Sequence, residues 1–226
     1  MSVTGIVVSQ CKVDKVGMQA CNLTAEALKA FKENVRDTKF KELNVSVNKN
    51  LGAEGLAVTS IIVSQCEVET VEMRKCNLTA EAMKAFKENV RDAKLKKLNI
   101  SGNENLGVKG LAITGNIVSQ CEVEKVEMQE CNLTAEAMKA FKENVRDAKI
   151  NLWDLSSNEV SKLGDEGLST ISEIVHQCRV QTLWMFDCGF FHGNVERFKA
   201  LIADGVEFKY HTTVTSKKYC SNNKYQ

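Results

Sequence analysis

The chain has 226 residues, 43% of them hydrophobic and 26% charged, with a formal net charge of +1. A balance so close to neutral gives no electrostatic footprint for nucleic acid or an acidic membrane. No apolar run approaches the roughly 18 residues that mark a membrane span, and a chain this long buries roughly 70% of its surface on folding.

In chain order, Met1-Ser2-Val3-Thr4-Gly5 aligns with Leu111-Ala112-Ile113-Thr114-Gly115, so the chain opens in the middle of a repeating unit, at its helix. The basic and long apolar regions of a signal peptide are not visible there. From Val13 onward one pattern recurs: apolar-x-x-apolar-x-apolar-x-x-Asn/Cys. It reads Val13-Val16-Met18-Cys21, Phe40-Leu43-Val45-Asn48, Val68-Val71-Met73-Cys76 and Leu95-Leu98-Ile100-Asn103. It continues through Val123-Val126-Met128-Cys131, Ile150-Trp153-Leu155-Asn158 and Val180-Leu183-Met185-Cys188, the starts lying 27, 28, 27, 28, 27 and 30 residues apart.

Each slot has a physical reading. Val71 and Met73 are two apart, so on a strand both face the core. The Asn or Cys closes a tight turn, where a buried polar group must find backbone partners. Thr79 then caps a helix over "AEAMKAFKENV", with Met83, Phe86 and Val90 on its apolar face and Lys84, Lys87, Glu88 and Arg91 in water. One such unit cannot bury its own apolar face, so neighbours must stack. The two extra residues of 158–167 predict a lengthened, solvated turn holding Asp165 and Glu166. After the helix in "FFHGNVERFKALIADG", Phe208 and Tyr210 at strand spacing predict a closing strand at 206–214. A polar tail follows at 215–226. The predicted organisation is therefore a solenoid over 1–214 of seven to eight units, plus that tail.

Little here suggests chemistry. His176, His192 and His211 are scattered, and no phosphate-loop glycine pattern is present. Cysteines fall at 11/21, 66/76, 121/131 and 178/188, with Cys220 alone. Members of a pair bracket a strand, too far apart to bridge or to share a zinc, and slot-bound thiols suit a reducing compartment. No cofactor, metal or catalytic constellation is expected. The sequons at Asn22, Asn44, Asn77, Asn99 and Asn132 all follow from repeat slots, and glycans on Asn44 and Asn99 would obstruct the strand face. That favours a cytoplasmic chain over a secreted one.

The copies themselves indicate where recognition lies. Residues 63–94 and 118–149 differ only at Thr70/Lys125, Arg74/Gln129 and Lys75/Glu130, all on or beside the strand, whereas exposed helix residues are unchanged. Drift after duplication does not explain that clustering. The candidate ligand-binding face comprises Glu42, Asn44, Thr70, Glu72, Arg74, Lys97, Asn99, Lys125, Glu127, Gln129, Leu152, Asp154, Trp184 and Phe186. Its middle carries an acidic stripe, Glu72, Glu127 and Asp154. Its C-terminal end presents Leu152, Trp184 and Phe186 as interface anchors, unless a tail carrying Tyr219 and Tyr225 folds over them.

The alternation of Cys units ("CNLT") with Asn units ("NKNLG", "NENLG") resembles the ribonuclease-inhibitor class of leucine-rich repeats, which also occurs in NOD-like receptors. The resemblance covers roughly residues 1–205. It implies an α/β horseshoe with parallel strands on the concave face and helices on the convex face. It implies no single function, since the fold serves many partners. A non-catalytic protein-binding module, in innate immune sensing, is the expected role. Two alternatives stand beside it. One is a secreted recognition protein, functionally like the variable lymphocyte receptors, which binds a cationic microbial surface through the acidic stripe; the longer repeats and missing cysteine-rich caps depart from that family. The other is a cytosolic enzyme inhibitor or structural scaffold.

Overall fold

Parallel strands cannot be joined by a tight hairpin, so a chain that repeats one strand every 27 or 28 residues needs a crossover between each pair. In the computed structural model, which describes Gly5, Val8, Gln10 and residues 12–212 except 92 and 147, helices supply those crossovers. Strands β1 (Lys15–Gly17), β2 (Glu42–Asn44), β3 (Thr70–Glu72), β4 (Lys97–Asn99), β5 (Lys125–Glu127), β6 (Leu152–Asp154), β7 (Thr182–Phe190) and β8 (Glu207–Thr212) form one parallel sheet in sequence order. Between them run α1 (Ala25–Asn34), α2 (Gly52–Gln65), α3 (Ala80–Lys87), α4 (Gly107–Gln120), α5 (Ala135–Asn144), α6 (Val160–Gln177) and α7 (His192–Lys199). Register is constant: Val16 pairs with Leu43, Leu43 with Val71, and so on to Leu183 with Phe208. The result is the leucine-rich repeat solenoid that the spacing predicts.

The core lies between sheet and helices. Val71, Met73, Met83, Phe86 and Val90 are fully buried there, as are Trp153 and Phe141, whose rings stack at 5.6 Å. Thr24, Thr79 and Thr134 cap their helices, each hydroxyl accepting from an Ala N–H at 3.2–3.3 Å. The first-turn carboxyls of Glu26, Glu81 and Glu136 are held below their usual range, first by backbone N–H groups at the helix start, then by the Thr hydroxyl.

Two ladders tie repeat to repeat. Asn103 donates from Nδ2 to the carbonyls of Met73, Ile100 and Ser101, and its Oδ1 accepts from Cys76 and Leu78 N–H. Asn48 and Asn158 make the same five bonds. In the alternate units the thiols of Cys76, Cys131 and Cys188 point at the carbonyls of Val45, Ile100 and Leu155, at 3.3–3.5 Å. Cys21, in the first strand's unit, is exposed.

One expectation is corrected at 158–167. Gly52, Gly107 and Gly164 occupy one slot, each with φ near +60°, where the chain swings into its helix. The two extra residues before Gly164 do not make an open loop. They complete a helical turn, Val160–Leu163, with Val160 and Leu163 buried, and the helix proper resumes at Asp165. At the other boundary β8 is the closing strand, while the tail at 215–226 falls outside the described residues, as do Met1–Thr4.

Identical helices need not end alike. "AEAMKAFKEN" is helical to Asn144 in α5 but only to Lys87 in α3. The difference comes from the preceding helix. A Cβ on Gly115 would sit 2.7 Å from the Phe141 carbonyl oxygen, and one on Gly5 equally close to the Asn34 side chain. The α3 counterpart of that glycine is Ser60, whose hydroxyl donates to the Ala57 carbonyl and accepts from Asn89. Its side chain fills the space in which a last helical turn would lie. Gly115→Ser is therefore expected to end α5 two residues early and to cost about 1–2 kcal/mol. Val145 N–H, now bonded to Phe141 at 2.9 Å, should exchange faster with deuterium. Unchanged Val145 protection would refute the account.

Candidate functional site

From β1 to β7 one core residue per strand, Val16 through Leu183, is buried and the residues on either side of it turn outward, so the outward face is written by positions 15/17, 42/44, 70/72, 97/99, 125/127, 152/154 and 182/184. Residues two places further on, such as Arg74, Gln129 and Phe186, extend it.

The structure separates the proposed contact residues into groups. Asn44, Asn99 and Asp154 act largely within the fold: each Oδ1 accepts the N–H of the serine two residues on, at 2.9–3.0 Å. Those serines, Ser46, Ser101 and Ser156, in turn accept from the N–H of Arg74, Gln129 and Phe186. Asn99 is only 3% and Asp154 1% exposed, so they support the face instead of presenting themselves on it.

The acidic stripe is also spent internally. Lys97 lies between Glu72 and Glu127, at 2.9 and 2.8 Å, and Asn99 Nδ2 donates to both carboxylates. Burial works against the Lys97 ammonium, but Glu127 and Glu72 outweigh it and raise its pKa above the ordinary value. Asp154 accepts from the Gln129 side chain. Lys15 and Glu42 pair at 2.7 Å. What reaches solvent without an ion-pair partner among the described residues is cationic: Arg74 and Lys125, both exposed. Thr70 and Gln129 are half-buried beside them. The acidic stripe of Glu72, Glu127 and Asp154 is thus engaged by Lys97, Asn99 and Gln129, and the one ammonium offsets only one of its negative charges.

Arg74 and Lys125 occupy two of the three positions at which the near-identical copies differ. The third difference has an internal explanation. Lys75 and Glu130 pair at 3.1 Å, two repeats apart, and the Lys75 chain lies across Gly102, where a Cβ would stand 2.5 Å from it.

The C-terminal end is less open than the sequence suggests. Leu152, Trp184 and Phe186 are half-buried. Neither partner that covers the two aromatics was among the expected site residues. Lys209 Nζ sits 5.7 Å from the Trp184 ring centroid, and the His211 ring lies 4.8 Å from Phe186. The signal was available: if Phe208 and Tyr210 face the core, the residues between and after them face outward. Asp187 approaches His211 at 3.2 Å. His176 is exposed, near the Leu201 carbonyl.

Among the described residues no group of three His, Cys, Asp or Glu is placed to hold a metal ion. Nor is any described helix long and apolar enough to cross a membrane.

Comparison with known proteins agrees with the repeat arithmetic. A family described as "Leucine Rich repeat" matches residues 92–112. Ribonuclease inhibitor from Mus musculus is 32% identical over 189 residues, covering 79% of this chain and 40% of that protein. The Sus scrofa ribonuclease inhibitor is 31% identical over 192 residues, covering 81% and 41%. The chain thus spans about two fifths of the length of these curated relatives. Among solved structures, the complex of Rad7 and Elc1 in yeast aligns with a TM-score of 0.49 at 13% identity, covering 86% of this chain and 62% of that one.

Proposed function

We propose that this chain, a leucine-rich repeat solenoid similar in sequence to the ribonuclease inhibitors, is a non-catalytic module whose strand face binds a folded protein. One observation carries the proposal. Two 32-residue copies differ at three positions, and two of these, Thr70/Lys125 and Arg74/Gln129, lie on the strand face. Arg74 and Lys125, without an ion-pair partner among the described residues, favour a partner that presents carboxylates, with Trp184 and Phe186 as the apolar end of the footprint.

An enzyme inhibitor is the better-supported form of this reading, because the curated relatives carry that name. Innate immune sensing rests on the repeat class alone. Its secreted version needs the acidic stripe, which Lys97 and Asn99 occupy. The buried thiols of the Cys slots support a reducing, cytoplasmic setting.

The test is binding to a panel of candidate enzymes, ribonucleases first, by wild type beside Arg74→Glu/Lys125→Glu, Trp184→Ala and a helix-face control, Lys84→Glu/Arg91→Glu. The concave charge reversal is expected to weaken binding at least tenfold and Trp184→Ala by a similar factor, with the control unchanged. Equal loss in the helix-face control, or no loss in the strand-face variants, would overturn the proposal.

A further inference from the structure

The repeat pattern breaks at its last helix. Aligned on their slots, α7 and the turn after it carry Asn194, Arg197 and Leu201 where α5 carries Ala137, Ala140 and Asn144. These three residues, with Asp165, Leu168 and Phe198, line a cavity of about 390 Å³ between α6 and α7. Its walls are largely apolar, and Leu201 is 46% exposed in a slot that three other copies fill with Asn.

The polar groups there are few. Asn194 is only 6% exposed, and its Oδ1 accepts the Phe191 N–H at 2.9 Å. That bond leaves Nδ2 as a donor with no acceptor among the described residues, in the cavity lining. Arg197 meets Asp165 at 3.5 Å, with both side chains well exposed, a loose pair that a better-placed anion can displace. A concave apolar site of a few hundred Å³ with a small number of placed polar groups is the usual architecture of a small-ligand pocket.

We propose that this cavity binds a small apolar carboxylate. Its hydrocarbon body packs on Leu168, Phe198 and Leu201, and its carboxylate accepts from Asn194 Nδ2 and the Arg197 guanidinium. The site lies away from the strand face, between two of the outer helices, so it stands or falls separately from the protein-binding reading.

Decanoate is a suitable probe, titrated calorimetrically into the full chain beside decanol, which keeps the hydrocarbon body and lacks the charge. Arg197→Ala and Leu201→Asn restore the residues that α5 already accommodates, so both variants should fold, as circular dichroism melts would verify. Decanoate is expected to bind saturably at one site, and about tenfold more weakly to either variant. Decanol should bind about tenfold more weakly than decanoate to the wild type. Absence of saturable decanoate binding would overturn the proposal. So would equal binding by wild type and both variants, which would mark nonspecific association.

Discussion

Replacing Asn103 with alanine is expected to destabilise the protein by about 4 kcal/mol, a large fraction of a typical domain's stability. Five hydrogen bonds end on this one side chain. Its removal leaves the N–H groups of Cys76 and Leu78 without an acceptor in a dry interior, at about 1–3 kcal/mol each. Three carbonyls lose a donor as well. Asn103→Asp should be no better at neutral pH, since it keeps the acceptor contacts, loses the donors and buries a charge. Urea denaturation of the two variants and wild type gives the numbers. A loss below about 1 kcal/mol for Asn103→Ala would mean that water or backbone rearrangement replaces the ladder.

That ladder was legible before any coordinates, and the reason is repetition. A buried Asn recurring in a tight turn has to satisfy the backbone around it, and parallel strands in constant register bring the same backbone groups past it each time. Thr79 as a cap and Met83, Phe86 and Val90 as a core face were legible for the same reason. What repetition hides is the effect of neighbours on identical text. The shorter α3 is set by Ser60, on another helix. The helical turn before Gly164 needs Val160 and Leu163 to be buried, which their position in an insertion did not suggest. The pairing of charges on the strand face was not legible, because a list of outward residues does not say how far each reaches. Lys97 spans from one strand to both neighbours and ties up Glu72 and Glu127, and Asp154 turns back to its own turn. Beside that engaged stripe, Arg74 and Lys125 are the exposed charges of the face without an ion-pair partner among the described residues.

The buried thiols lead to the second large effect, a loss of stability in mild alkali. Burial pushes the Cys66 and Cys131 thiols up to about 12 and Cys188 up to about 11, from an ordinary value of 9.0. Cys76 moves in the same direction. At pH 10 these thiols keep their protons in the folded chain and lose them in the unfolded one. The folded state then binds more protons, so stability falls as pH rises. The contribution is fully present below about pH 9 and lost between there and the folded values. At pH 10 a thiol at 9.0 in the unfolded chain favours unfolding by about 1.4 kcal/mol, hardly offset while the folded value stays at 11 or above. Three such slots together remove about 4 kcal/mol. Other groups also titrate at that pH, so the decisive quantity is a difference. The gap in urea stability between wild type and Cys131→Ala should narrow by about 1.4 kcal/mol from pH 7.5 to pH 10. A gap that stays constant would mean that the Cys131 thiolate is tolerated in the fold. The Cys slots would then be open to water, and the thiols would no longer support a reducing compartment.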